Sequence, residues 1–260
     1  MIDSRFEWPD HLSMEIQLLS LCGVIFLVAG VVKGVSGMGL PTVSMALLGL
    51  ILPPAEAAML MLLPSLLTNL AQCTGPYWKS LCLRLWPLWT GLILLAVCCP
   101  LSNIGDSDKH VRLLLGTVLI AYGLWGAIKP VLPDFGRHEC SASFLAGAMS
   151  GILTATTGVF VIPLVPYLQA LKLAKDELIQ ALGLSFMLAT VALSIRLGSV
   201  GSAGFKLDVT AQLIALLSSC VGLWFGTSIR SHLRPTQFQR GLYGVFIFLG
   251  VVMVYRSLQQ

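Results

Sequence analysis

Apolar runs, separated by polar or Pro/Gly-containing stretches, divide the chain into successive segments. Their ranges are 13–33, 40–52, 55–74, 85–104, 109–129, 142–155, 159–172, 177–197, 209–229 and 238–257. Several runs reach the roughly 20 apolar residues that a membrane-spanning helix requires. No run shows the alternating pattern of an outer-membrane β-barrel strand. The pattern therefore predicts an all-α fold, a polytopic transmembrane helical bundle.

Some of these segments are too short to cross a bilayer alone. They are 40–52, 142–155 and 159–172, and the end of the first run is interrupted by glycines. Thirteen helical residues extend only about 20 Å. Short apolar pieces beside a Gly/Pro break are typical of discontinuous or re-entrant helices.

The two halves of the chain follow the same plan. Residues 1–130 and 142–260 each open with a broken or re-entrant helix pair and continue with three longer helices, and a polar linker over 131–141 joins them. Gly30-x-x-x-Gly34 has a counterpart in Gly147-x-x-x-Gly151. Because each half has an odd number of segments, the second half begins from the opposite face. The sequence predicts two inverted repeats, an architecture that many transporters share.

Composition agrees with a membrane protein. The chain has 56% hydrophobic and 11% charged residues and a mean hydropathy of +0.86, whereas soluble domains are about 25% charged. The polar start lacks the pattern of a cleaved signal peptide, so we expect the first run to remain as a helix. The net charge of +4 suits lipid headgroups, and nothing predicts a nucleic-acid partner.

The basic residues favour one orientation. If the segments alternate in direction, one face collects Lys33, Lys79, Arg84, Lys129, Arg137, Lys172, Lys175, Arg230, Arg234 and Arg240, and the other collects Arg5, Lys109, Arg112, Arg196, Lys206 and Arg256. The positive-inside rule places the larger set in the cytoplasm. We therefore expect a multi-pass protein of the inner (cytoplasmic) membrane with both termini outside.

Lys33 is the most informative single residue because it ends a long apolar run. A lysine inside the bilayer is expensive and often functional, so Lys33 could face a wet cavity and attract an anion. The alternative is a lysine that snorkels to the headgroups.

Glycines and hydroxyl residues mark the two helix breaks. Where a helix restarts, its unpaired N–H groups favour an oxyanion. The candidate ligand groups are Ser36, Gly37 and Gly39 in the first half and Thr154, Thr156, Thr157 and Gly158 in the second. For Gly30, Gly34, Gly147 and Gly151, helix–helix packing is an equal alternative, and for Gly222 and Gly226 it is preferred.

Polar residues also lie inside long helices: Thr68, Asn69 and Gln72 in the third, and Gln180, Ser185 and Thr190 in the eighth. We select Asn69 and Ser185 as substrate-binding candidates. Hydrogen bonding between helices is the alternative for each of them.

Several functions find no support in the sequence. All four histidines fall in loops, and no carboxylate lies deep in a helix. The cysteines lack metal-ligand spacing, and there is no nucleotide-binding motif. We therefore expect no catalytic residues, no metal and no cofactor. One alternative remains open, a membrane thiol-redox protein that uses the adjacent Cys98 and Cys99.

The motifs together resemble the sulfite exporter TauE/SafE family of membrane permeases. They are Gly30-x-x-x-Gly34-x-x-Gly37-x-Gly39, Pro53-Pro54-Ala-Glu-Ala, Pro64-Ser65-Leu-Leu-Thr-Asn69, the stretch from Gly151 through Thr157-Gly158 to Pro163, and Glu177-Leu-Ile-Gln180-Ala-Leu-Gly183-Leu-Ser185. The resemblance implies a permease for small anions such as sulfite, organosulfonates or related carboxylates, with export as the usual direction.

The sequence thus predicts a transporter that moves a small anion by alternating access. Lys33 would attract the charge, the glycine amides would hold the oxygens, and Asn69 with the threonines would orient the ligand. A passive anion channel is the alternative within transport. The expected partners are the anion and the lipid bilayer, and association into a homodimer stays open.

Overall fold

The computed structural model describes residues 10–99, 108–128, 135–199, 209–230 and 235–259. The end of the predicted fourth segment and the first part of the linker lie outside these ranges. So do four of the basic residues used for the orientation, Arg5, Lys129, Lys206 and Arg234.

Within the described residues the fold is helical, with no strand. The helices are α1 (Asp10–Ser36), α2 (Leu40–Leu48), α3 (Pro54–Cys73), α4 (Trp78–Cys98), α5 (Asp108–Ile128), α6 (Glu139–Thr157), α7 (Leu164–Ala170), α8 (Lys175–Ser199), α9 (Val209–Ile229) and α10 (Pro235–Gln259). Seven of them, α1, α3, α4, α5, α8, α9 and α10, are long and apolar enough to cross a membrane. The predicted class, a polytopic helical bundle, is confirmed.

The start of the fourth helix was predicted wrongly, and two other ends differ by four or five residues: α2 ends at Leu48 and not at 52, and α7 begins at Leu164 and not at 159. The fourth segment was expected to start at residue 85, but α4 begins at Trp78. Its first two turns carry Lys79 and Arg84, whose charge made them resemble a loop. Arg84 instead donates to both carboxylate oxygens of Glu139, at 2.6 and 3.1 Å, across to the first turn of α6. The polar residues therefore extend the helix and tie it to a neighbour.

The two predicted breaks are present. α1 ends at Ser36 and α2 starts at Leu40, and between them Gly37 and Gly39 have φ angles of 78° and 106°. In the second half, α6 ends at Thr157, and Gly158, which follows it, has a φ angle of 70°. The chain is then irregular until α7. These left-handed φ angles favour glycine, which has no Cβ to clash. Pro41 then fits the first turn of α2, where a missing N–H does no harm.

Glycines let two pairs of helices approach closely. A Cβ on Gly30 would lie 2.3 Å from the Ser219 carbonyl oxygen of α9, and one on Gly147 would lie 1.9 Å from the Leu88 oxygen of α4. The same holds for the other four glycines of these motifs, Gly34, Gly151, Gly222 and Gly226. The packing alternative for all six glycines is thus confirmed.

The close contacts also give the relative directions of the paired helices. Along α1 and α9 residue numbers rise together, because Gly23 lies against Ile214 and Gly34 lies against Gly226. The α4–α6 pair is parallel in the same way. By contrast, α3 and α8 are antiparallel, and so are α5 and α10, where Gly116 meets Gly250 and Gly123 meets Tyr243.

Candidate functional site

Lys33 lies inside the protein near the end of α1. Its exposed fraction is 1%, so it does not snorkel to the surface. The ammonium nitrogen donates a 3.0 Å hydrogen bond to Thr68 Oγ1 and a second hydrogen bond to Asn69 Oδ1. Both partners belong to α3 and both are neutral. Since α1 is apolar from Leu21 to Val32, the pairing with α3 is what gives the charged group a polar environment.

A stripe of polar side chains on α3 faces this lysine. Ser65, Thr68, Asn69 and Gln72 follow the spacing i, i+3, i+4, i+7, which places them on one side of a helix. The hydroxyl of Thr68 donates to the Pro64 carbonyl at 2.7 Å, so its oxygen accepts from Lys33. Of these four residues the sequence analysis selected only Asn69. The spacing itself was the signal that could have found the other three.

Among the described residues, several buried polar atoms on α3 and α2 have no hydrogen-bond partner. On α3 they are Ser65 Oγ, Asn69 Nδ2 and Gln72 Oε1, and on the first turn of α2 there is Thr42 Oγ1. Ser65, Asn69 and Thr42 are fully buried. Buried polar groups normally find partners, so such a group beside a buried cation indicates a place where a polar ligand can bind.

No carboxylate contacts Lys33 among the described residues, where its polar partners are Thr68 and Asn69. The acidic residues Glu56, Glu139, Asp176 and Glu177 lie in the first turns of α3, α6 and α8. At such positions the helix dipole favours negative charge. Within the part of the chain that the structure describes, the lysine therefore has no counterion, and its neighbours could hydrogen-bond the oxygens of an added anion.

Side chains at the first break stabilise the turn between α1 and α2. Ser36 Oγ donates to the carbonyl oxygens of Val32 and Met38, at 2.7 and 2.6 Å, and accepts from the Met38 N–H. Its hydroxyl is thus engaged locally. Gln72 Nε2 donates at 2.8 Å to the Gly37 carbonyl, which joins the turn to the polar stripe. Gly39 is buried and precedes the first N–H groups of α2.

The second-half candidates do not join this group through any hydrogen bond in the described part of the chain. Thr154, Thr156 and Thr157 donate back to carbonyls of their own helix, at 2.7–2.8 Å. Thr157 Oγ1 also accepts from the N–H of Val159, just past Gly158. Ser185 accepts a 2.9 Å bond from Trp89 Nε1 of α4. A role for these residues in binding stays a prediction.

Cys98 and Cys99 lie at the end of α4 as free thiols. Cys98 is exposed and Cys99 is buried, and the Cys99 carbonyl accepts a 2.7 Å hydrogen bond from Arg196 on α8. These contacts do not test the thiol-redox alternative, which also stays a prediction.

One comparison with known proteins gives a match. A family model described as "Sulfite exporter TauE/SafE" matches residues 22–253, which is most of the chain. Searches for similar curated proteins and for similar solved structures gave no match.

Proposed function

The chain belongs to the sulfite exporter TauE/SafE family of membrane transporters, and from this premise we propose that it is a secondary transporter of small anions. The cargo class is sulfite, organosulfonates or related carboxylates. We propose that the protein lies in the cytoplasmic membrane with both termini outside, and that it exports its substrate by alternating access.

The observation that carries this proposal is the buried, unneutralised Lys33. Taking an ammonium out of water costs several kcal/mol unless an opposite charge compensates for it. Thr68 and Asn69 offer hydrogen bonds but no charge. A small anion that binds beside Lys33 would supply the missing counterion. Asn69 Nδ2, which is buried without a partner, would donate to one of its oxygens.

The helix pairing supports a second part of the proposal, the two inverted repeats over 1–130 and 142–260. If α1–α5 correspond to α6–α10, then α1·α9 and α6·α4 are equivalent pairs, and both are parallel. The remaining strong pairs, α3·α8 and α5·α10, each unite corresponding helices, and both are antiparallel. Inverted repeats require this relation, whereas repeats in the same orientation would require parallel partners. Transporters built this way alternate access by moving one repeat against the other.

Replacement of Lys33 tests the site. Lys33→Met keeps most of the side-chain volume and removes the charge. We expect the flux of the preferred anion to fall about tenfold or more, because a buried charge that loses its partner typically costs 2–5 kcal/mol. The measurement is counterflow in liposomes with sulfite, thiosulfate, sulfoacetate, taurine and simple carboxylates.

Lys79→Met is the matched control, because Lys79 is exposed on the first turn of α4. It should transport like the parent protein. Full flux in Lys33→Met would contradict the site. Saturable uptake that concentrates the anion against its gradient would exclude the channel alternative.

A further inference from the structure

A cavity of about 420 Å³ opens at the end of α3, beside the polar stripe. Its wall comprises the turn between α3 and α4, including Thr74, Gly75 and Tyr77, and the first turns of α8, including Asp176 and Gln180. Most of this turn is exposed, and so is Asp176. The volume is in the range of small-molecule pockets. It exceeds what a small sulfur oxyanion or carboxylate occupies, so a hydrated anion has room there.

Gln72 connects this cavity to the Lys33 group. It lines the cavity, and it lies three residues after Asn69, one helical turn nearer the end of α3. Its Nε2 donates to the Gly37 carbonyl at 2.8 Å, so the side chain bridges the polar stripe and the α1–α2 turn. Lys33 and Asn69 lie deeper and are buried. Gln72 therefore lies between the cavity and the buried Lys33 group, with its side chain in contact with both the cavity and the α1–α2 turn.

Gln180 keeps the opposite wall fixed. Its Nε2 donates to the carbonyl oxygens of Cys73 and Gly75, both at 3.1 Å, and its Oε1 accepts from the Tyr77 N–H at 3.1 Å. Three hydrogen bonds hold Gln180, whereas Gln72 has one partner and a buried Oε1 without any. Of the two glutamines, Gln72 is the one that can rotate at small cost.

We propose that this cavity is a vestibule that leads to the anion site from the face of the α3–α4 turn, and that Gln72 is its gate. The vestibule would admit a small monovalent anion, and rotation of Gln72 away from Gly37 would connect it to Lys33 and Asn69. In that state the freed Nε2 can donate to the passing anion. The ligand class rests on the function proposed above, but the gate itself does not.

The rim carries one opposing charge, the exposed carboxylate of Asp176 in the first turn of α8. Water and salt screen an exposed charge strongly. The partial positive charge of the unpaired N–H groups in that turn further offsets the negative charge of Asp176. Lys33 acts in a buried setting, where screening is weaker. The field therefore draws an anion inward from the rim.

Cys73 offers a native reporter for the test. It follows Gln72 directly, lies four residues after Asn69 on the same side of α3, and is partly exposed. In a protein that keeps Cys73 as its single cysteine, we would measure the labelling rate with a negative and a positive methanethiosulfonate reagent. The protein would be reconstituted in liposomes, with the reagent supplied to the α3–α4 face.

Gln72→Met keeps the side-chain length and removes the hydrogen bond to Gly37. One hydrogen bond contributes about 0.5–1.5 kcal/mol, so we expect both reagents to label Cys73 about three- to tenfold faster. Gln169→Met, at an exposed position on α7, is the control and should leave the rates unchanged. Gln72→Leu, which also lacks the donor and adds no charge, is the second variant in case Gln72→Met fails to fold.

Cys73 labelling rates within twofold of the parent protein in a folded Gln72 variant would contradict the proposal that Gln72 is a gate.

The charge preference of the labelling is a separate result. Lys33→Met should lower the ratio of negative-reagent to positive-reagent rates about tenfold, since a nearby buried charge steers ions. An unchanged ratio would contradict the anion site and leave the gate standing, so the two failures can be distinguished.

Discussion

Asn69 is a direct hydrogen-bond partner of the buried Lys33 ammonium. Its Oδ1 accepts from Lys33, while its Nδ2 has no partner. The sequence pointed to both residues, because a lysine and an amide deep in apolar runs are costly there. It did not show that they contact each other, since they stand 36 positions apart with a broken helix between them. That contact depends on how α1 packs against α3, which local pattern does not encode.

Asn69→Asp should block transport by giving Lys33 a permanent counterion. A carboxylate of the same shape would pair with the ammonium and compete with every substrate anion. We expect the anion flux to fall about tenfold or more, because only a small fraction of the protein would then have Lys33 available for the anion. The melting temperature should stay equal or rise. The measurements are liposome counterflow and thermal unfolding in detergent.

Gln169→Glu adds a carboxylate at an exposed position and should leave transport unchanged. If Asn69→Asp transported as fast as the parent protein, Lys33 would have no part in holding the anion. The threonines at 154, 156 and 157 would then become the remaining candidates.

Small residues rather than apolar surface organise the contacts between the helices. Lipid tails are as apolar as leucine, so helix association in a membrane depends on close backbone approach. The i, i+4 glycine spacing in α1, α6 and α9 was visible in the sequence. Which helix each motif contacts was not visible, because α1 pairs with α9 and α4 with α6, far apart along the chain.

Gly147→Ala should destabilise the α4–α6 pair. The added Cβ would lie 1.9 Å from the Leu88 carbonyl oxygen, a backbone atom that cannot rotate away. Overpacking of this kind typically costs about 1–3 kcal/mol, so the melting temperature in detergent should fall.

Gly241→Ala on α10 is the matched control, because among the described residues no atom of a neighbouring element lies within 4 Å of the position that its new methyl group would occupy. Alanine is favoured over glycine in a helix by about 1 kcal/mol, so this variant should melt at the same temperature or higher. Equal melting temperatures for the two variants would mean that the α4–α6 contact is looser than described.

At the scale of the whole molecule, the pattern of apolar runs predicted the helical bundle and both breaks. It misplaced the start of α4, because charge at the end of a membrane helix resembles a loop until its partner is known. The proposed repeats leave only weak echoes in the sequence, since the residues at equivalent places differ. Lys33 and Thr154, for example, stand four residues before Gly37 and Gly158, the glycines that end α1 and α6.

The contacts between helices predict which loops share a face of the membrane. Gln180 at the start of α8 contacts Tyr77 just before α4, so residues 79 and 175 must lie on one face, which the positive-inside rule makes cytoplasmic. α4 and α8 each cross the membrane from there. The starts of α5 and α9, at 109 and 209, must then lie on the opposite face. All four positions are exposed and can carry a reporter cysteine.

In a cysteine-free background, Lys109→Cys and Val209→Cys should react with an impermeant maleimide in intact cells. Lys79→Cys and Lys175→Cys should react only after the membrane is permeabilised. Reaction of all four in intact cells would mean that α4 and α8 do not cross. A reversed pattern would keep the bundle but turn it over. The Gln72 gate and its vestibule would then face outward and both termini would lie inside, which would contradict the proposed orientation.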